Sequence, residues 1–402
     1  MPDNKKRIII DVLIILAVGL ISFNWFKGSF FYSYGDVIFP FSPITAFKDS
    51  FYIWSGWFTG HEDVQILSYI PYYALLALWD WLRLPLYAIH QFVYYFLFTV
   101  SGLSVYYLIL TIFKDERRHL MGLIAAFFYM FNSFTLIIVW GLSLQSIYLY
   151  PFLPLLLALL IKGLEKRKLI KYAFLFTLVS FFASIGFSNA AFALIFWLNI
   201  LLFLVYYLIF NFRNKEKLYY ALKFVLLLLI IWLGINSYWL IPYLEMLSGF
   251  LPEALQNIAY QEGTVESIKS SSQTAHLLNS FRLFGYHPFD LNYEYGANDP
   301  FYAFSKTYTQ NPFFIVLSFL VPLLVFLSLL IVRKKSFNDK FYILYFSIFS
   351  FFILFFYKGS QEPLGELFLW LADKIPLLGA FRHPMSKFGV LLPLGYAALL
   401  GY

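Results

Sequence analysis

Apolar runs of about 18 residues or more recur along this chain, each long enough to cross a ~30 Å hydrocarbon core. Composition agrees: 61% of the 402 residues are hydrophobic and only 13% are charged, against about 25% charged in an ordinary soluble domain. The first run, Ile8–Phe26, follows Lys5-Lys6-Arg7. It is long for a signal peptide, and Ala17-Val18-Gly19 is a poor cleavage sequence, so it reads as a retained signal anchor. Cysteine is absent, which excludes disulfides, thiol catalysis and zinc–thiolate sites. The net charge of +7 is not gathered on a soluble face, so nucleic acid is not an expected partner.

The basic residues give the topology. Lys5, Lys6 and Arg7 precede the first span, and Lys114, Arg117 and Arg118 follow the second, roughly Tyr87–Phe113. Lys162, Lys166, Arg167, Lys168 and Lys171 lie between the fourth and fifth spans. Arg213, Lys215, Lys217 and Lys223 lie between the sixth and seventh, and Arg333, Lys334, Lys335 and Lys340 between the eighth and ninth. Nineteen of the 29 Lys and Arg residues fall in these places. Every second connection is thus short and basic, which the positive-inside rule makes cytoplasmic. The expectation is an all-α polytopic membrane protein, a single transmembrane domain over residues 1–402. It has about ten transmembrane helices, interfacial helices in its outer loops and a cytoplasmic N-terminus. From Phe388 to Tyr402 there are 15 residues, about 22 Å of helix and short of a span, so the expectation is a truncated piece of a longer protein that continues inward, or a degenerate gene product.

The long outward connections, about 27–85, 248–312 and 358–386, hold the candidate functional residues. Asp36 stands alone in Tyr34-Gly35-Asp36, just beyond the first span. Gly-Asp is common in turns, but a carboxylate at the mouth of a span, ahead of interfacial helices, also suits a catalytic base. Ile44, Phe47, Phe51, Trp54 and Phe58 share one face of a helical pattern, which predicts an interfacial helix ended by Gly60-His61-Glu62-Asp63. His61, Glu62 and Asp63 suggest a metal patch, although consecutive residues do not face one point on a helix; a solvated helix end suits them better. A second stretch, Ile66–Leu82, stops at Pro85. In the second loop, Thr264–Thr274 is polar and expected to be mobile. Beyond it Arg282, His287, Asp290, Glu294 and Asp299 are spread among aromatics, a mixture suited to sugar rings. Glu245, near the outer end of the seventh span, joins them because acids at membrane depth are costly and often functional. The third loop ends in Phe381-Arg382-His383-Pro384-Met385-Ser386-Lys387-Phe388. Cations are biased away from the outer side, so Arg382, His383 and Lys387 suggest either a phosphate clamp or contact with lipid headgroups.

The Asp36 entry, the Trp54/Trp57-Gly60 segment, the Gln91 span start and the Phe381-Arg382…Lys387-Phe388 ending resemble the GT-C superfamily of polyprenyl-phosphate-sugar-dependent glycosyltransferases. The layout is similar to the AftD-like arabinofuranosyltransferase and YfhO-like membrane protein group. The resemblance implies a plasma-membrane enzyme with its site on the outer face. It implies a polyprenyl-phosphate-linked sugar donor, a glycan or lipid acceptor, and surrounding membrane lipid. Asp36 then becomes the base. Arg382, His383 and Lys387 take the lipid phosphate, and Trp54, Trp57, Glu245, Arg282 and His287 become substrate contacts. Many members pair two acids in the first loop; here Asp36 stands alone, which leaves open whether a divalent cation takes part. A transporter or flippase of lipid-linked saccharides, or a non-catalytic scaffold, remains the alternative, with Asn189, Asn199 and Asn236 inside spans as its sequence support.

Overall fold

A computed structural model describes residues 2–30, 39–55, 60–141, 143–256, 258–286, 305–331 and 336–402. Asp36, Trp57 and His287, together with Asp290, Glu294, Asp299 and Arg333-Lys334-Lys335, lie outside these residues. The described chain is helical apart from one short antiparallel ribbon, β1 (Trp54–Ser55) and β2 (His61–Glu62), in which Trp54 lies opposite Glu62. Seven helical segments among the described residues are long and apolar enough to cross a membrane: Lys6–Trp25, Leu86–Ile112, Leu144–Lys166, Ala190–Phe210, Lys215–Gly249, Pro312–Leu330 and Phe337–Tyr357. Three shorter apolar helices, Arg118–Phe131, Leu169–Phe182 and Leu392–Gly401, accompany them.

The chain forms two compact units. Unit 1 takes Met1–Thr111, Asp115–Met130 and Trp140–Phe250; unit 2 takes Ile112–Lys114, Phe131–Val139 and Leu251–Tyr402.

Unit 1 is built around helices α1 (Pro2–Gly19), α4 (Leu86–Ile112), α5 (Arg118–Phe131) and α7 (Leu153–Lys166), with α3 (Ile70–Trp81), α6 (Leu144–Leu149), α8 (Leu169–Phe182), α9 (Ala190–Phe210) and α10 (Lys215–Gln256) as far as Phe250. Helix α7 enters through Pro151 and Pro154, whose fixed φ and missing N–H suit a helix start. It is buried almost all round, as a helix apolar on every face must be when other helices surround it. A reciprocal pair fixes its upper end. Tyr129 donates to the carbonyl of Tyr150 at 2.9 Å, Tyr150 donates to the carbonyl of Tyr129 at 2.8 Å, and the two rings stack at 4.0 Å.

The basic connections of unit 1 meet in local contacts. Arg167 pairs with Glu216 at 2.6 Å, and Tyr220 donates to the carbonyl of Gly163 at 3.1 Å. Lys162 sits 3.8 Å above the Tyr107 ring. Gly163 is needed there, since a Cβ would lie 2.1 Å from the Phe224 ring. Asp11, 5% exposed on α1, accepts from Tyr106 at 2.7 Å and stands 3.6 Å from His119. Sequence reading passed over this acid because it lies inside the first apolar run; its partners are what make a buried carboxylate tolerable.

In unit 2, α14 (Pro312–Ile331) and α15 (Phe337–Tyr357) pack with α18 (Leu392–Gly401). Asn338, in the first turn of α15, donates to the carbonyl of Ile112 at 2.8 Å. The third apolar run is interrupted. Helix α5 stops at Phe131, the Asn132 side chain accepts from the Thr135 backbone N–H at 3.1 Å, and a single π-turn covers Thr135–Val139.

Two local expectations are corrected. The amphipathic pattern over Ile44–Phe58 yields only α2 (Pro43–Asp49); the chain then turns into β1, where it pairs with β2. Thr264–Thr274, expected to be mobile, is largely helical: α11 (Ile258–Ser271) runs through it and buries Thr264, Ile268, Ser271 and Ser272. Ile268 and Val265 pack on Phe368, Leu369 and Ala372 of α16 (Gly365–Lys374). Two apolar residues three apart sufficed, because tertiary burial outweighs a polar composition.

The tyrosine pair predicts non-additivity. Tyr129→Phe and Tyr150→Phe are each expected to cost about 1 kcal/mol. The double variant is expected to cost measurably less than their sum, read as melting temperatures in detergent, because either loss loosens the shared stack.

Candidate functional site

The described candidates fall in both units. Trp54 and Glu245 belong to unit 1. Trp54 is well exposed in β1, and its indole lies under Gly60, where a Cβ would come within 2.9 Å of the ring. Gly60 has φ +82, a backbone conformation that favours glycine at this position. Glu245 is exposed on α10, thirty residues beyond Lys215. That is about 45 Å along the helix, more than the ~30 Å of a hydrocarbon core. Its position therefore does not require a carboxylate at membrane depth. His61 and Glu62 are exposed in β2. Among the described residues no three His, Cys, Asp or Glu gather closely enough to hold a metal ion.

Arg382, His383 and Lys387 come together in unit 2. A 3₁₀ turn, Pro376–Phe381, leads into α17 (Pro384–Phe388), with Pro384 in its first turn. The Phe381 and Phe388 rings lie 4.7 Å apart, and Phe388 stacks on Phe356 of α15 at 4.9 Å. Ser271 of α11 donates to the Arg382 carbonyl at 2.7 Å, and Ser386 to the His383 carbonyl at 3.0 Å. The backbone of the turn is thus pinned by aromatic stacking and hydroxyl bonds, which leaves the three basic side chains to share one short segment. Partial burial, then the charges of Lys387 and Arg382, lower the His383 pKa below its ordinary 6.5. The turn is an electropositive spot that resists a further positive charge.

Arg282 is placed differently from expectation. Only 9% exposed, it donates to Ser318 at 2.5 Å, to Asn279 at 3.1 Å and to the Tyr308 carbonyl at 3.3 Å. Its guanidinium also lies 4.9 Å from the Phe284 ring and 5.2 Å from the Phe319 ring. These contacts join α12 (Leu277–Phe281), α13 (Ser305–Gln310) and α14, so Arg282 acts first as a strut. It borders a cleft of about 430 Å³, shared with Gln273, His276, Asn279 and Thr309.

A larger cleft, about 920 Å³, opens between α11 and α16. Glu266, Lys269, Ser270 and Gln273 line one wall, Glu366, Leu369 and Asp373 the other, and Ser360 and Gln361 close one end. That end is held by Lys358, which is buried and donates its ammonium to the Gln361 carbonyl. Burial lowers the Lys358 pKa, and Glu362 partly offsets the shift. None of these cleft residues was singled out from sequence. Their spacing along two amphipathic helices was the available signal, but nothing in one dimension pairs those helices.

No family model matches this chain, and no curated protein matches it closely.

The His383 shift predicts a pH dependence. Its folded-state pKa lies below the unfolded value, so between the two the unfolded chain binds more protons. Stability is therefore expected to be full above about pH 6.5 and to fall as pH drops below it. His383→Gln should flatten that part of the curve, measured as melting temperature against pH in phosphate-free buffer.

Proposed function

We propose that this chain is an inverting glycosyltransferase of GT-C type, moving a sugar from a polyprenyl-phosphate donor to a glycan or lipid acceptor at the outer face of the cell membrane. The observation that carries the reading is the electropositive turn of Arg382, His383 and Lys387. A lipid-linked donor brings a phosphate at the membrane surface, and a bidentate guanidinium beside an ammonium suits it. The neighbouring cations and burial that disfavour protonation of His383 would be opposed by a bound phosphate, whose negative charge favours the protonated ring.

In this reading Asp36 accepts the proton of the acceptor hydroxyl as that oxygen attacks the anomeric carbon. The bond from the anomeric carbon to the phosphate oxygen breaks with inversion, and the polyprenyl phosphate leaves with the electron pair. The cations of the turn stabilise that leaving charge. In the same reading the chain has about ten spans and a cytoplasmic N-terminus, supported by the positive-inside pattern of its short basic connections. A second reading, a carrier of lipid-linked saccharides, has its own support in the break at Asn132–Thr135, because interrupted helices are common at transport sites.

Asp36→Asn discriminates between the two. With the full chain in native membranes and a radiolabelled polyprenyl-phosphate sugar, transfer is expected to fall by about 10²–10⁴-fold. Uninhibited transfer by Asp36→Asn would sink the catalytic assignment. Separately, Arg382→Ala with Lys387→Ala is expected to raise KM for the donor more than it lowers turnover.

A further inference from the structure

We propose that the groove between α11 and α16 is a saccharide-binding site, which takes an uncharged sugar unit through its hydroxyls. The inference does not rest on the transferase reading; a carrier or scaffold would use the same groove.

The groove follows from how the two helices meet. Below, Ile268, Phe368, Leu369 and Ala372 form one apolar contact that holds them together. Above that contact the facing surfaces are polar. On α11, Glu266, Lys269 and Ser270 recur at intervals of three and four, a single stripe along the helix that Gln273 continues in the turn after it. On α16, Glu366 and Asp373 are seven apart and share a stripe with Leu369. Two helices joined at the base and lined with polar stripes enclose a trough of about 920 Å³, within the range of small-ligand sites.

The chemistry of the walls selects the ligand. Carboxylates, two side-chain amides, hydroxyls and an ammonium offer both acceptors and donors. Sugar hydroxyls, each donor and acceptor at once, match that mixture. Three carboxylates stand against Lys269 and Lys374, the latter paired with Asp373 at 2.8 Å, and this small excess of negative charge disfavours a phosphate or other anion. This wall is the opposite in sign to the Arg382 turn. Trp370 lies four residues after Glu366 and three before Asp373, 56% exposed on the adjoining flank. An exposed indole beside acceptors gives the C–H face of a pyranose or furanose ring a surface to stack on. Leu364, Leu367 and Leu377 are exposed nearby in sequence, an apolar rim that suits a lipid surface. A glycolipid headgroup and a free glycan therefore share the required chemistry.

The test uses the full chain in nanodiscs. The probes are methyl glycosides of glucose, galactose, mannose, arabinose, rhamnose and N-acetylglucosamine, their disaccharides, and a glycosyl diacylglycerol placed in the bilayer. Saturation-transfer NMR and tryptophan fluorescence report binding up to about 20 mM ligand. At least one probe is expected to bind, with little dependence on ionic strength. Glu366→Gln and Trp370→Ala, both at exposed positions and expected to melt like the wild type, should each weaken it about tenfold or more. Binding of free glycosides assigns a soluble glycan; binding of the glycolipid alone assigns a headgroup. Three results overturn the proposal: no probe binds, both variants bind undiminished, or spermine and calcium displace the sugar with strongly salt-dependent affinity.

Discussion

Hydrocarbon offers no hydrogen-bond partner, so in a bilayer every polar group of a spanning helix must find one within the protein or sit at a helix end. The described chain meets that demand at several buried places. Asp11 is met by Tyr106, Tyr129 and Tyr150 exchange bonds, and Asn236 donates to the Trp232 carbonyl while accepting from Trp239. Asn199 is one of several exceptions: its amide lacks a protein partner among the described residues, as do the Thr177 hydroxyl and the Trp232 indole N–H. The same demand crowds the remaining polar chemistry toward the helix ends. In unit 2 that means the connections through 258–286 and 358–388, where both clefts and the cationic turn are found.

The two ends of this chemistry differ in sign. The Arg382–Lys387 turn concentrates positive charge on a rigid aromatic stack, while the α11–α16 groove sets the carboxylates of Glu266, Glu366 and Asp373 among amides and hydroxyls, with Lys269 as its one lining cation. Under the two proposals above, a molecule that carries both a phosphate and a sugar would find a complement on each kind of surface, and an anion alone on only one. Arg282 adds rigidity: by joining three helices through its guanidinium it fixes the smaller cleft that shares Gln273 with the groove.

Hydropathy made the spanning helices legible, because runs such as Ala190–Phe210 and Pro312–Leu330 are apolar on all sides and need no partner to be recognised. Shorter amphipathic pieces were harder. The Ile44–Phe58 pattern fits a helix by period, but from Trp54 onward a strand pairing competes and wins. In Thr264–Thr274 the polar majority concealed Ile268, whose burial against Phe368 decides the conformation. The cationic turn was visible as adjacent letters. The groove was not, since Glu266 and Glu366 are one hundred positions apart and only tertiary packing sets them on facing walls. Lys358 and Asp11 were missed for a related reason: each draws its meaning from a partner supplied elsewhere in the fold.

Helix α10 carries a further consequence. At 42 residues it is about 63 Å long, roughly twice the thickness of a hydrocarbon core. Its backbone bonds are closed along that length, so immersing more or less of it exposes no new peptide group. The waterline along α10 can therefore shift with bilayer thickness without breaking a backbone bond of that helix. The shorter spans must meet the same change by tilting or by local deformation of the bilayer.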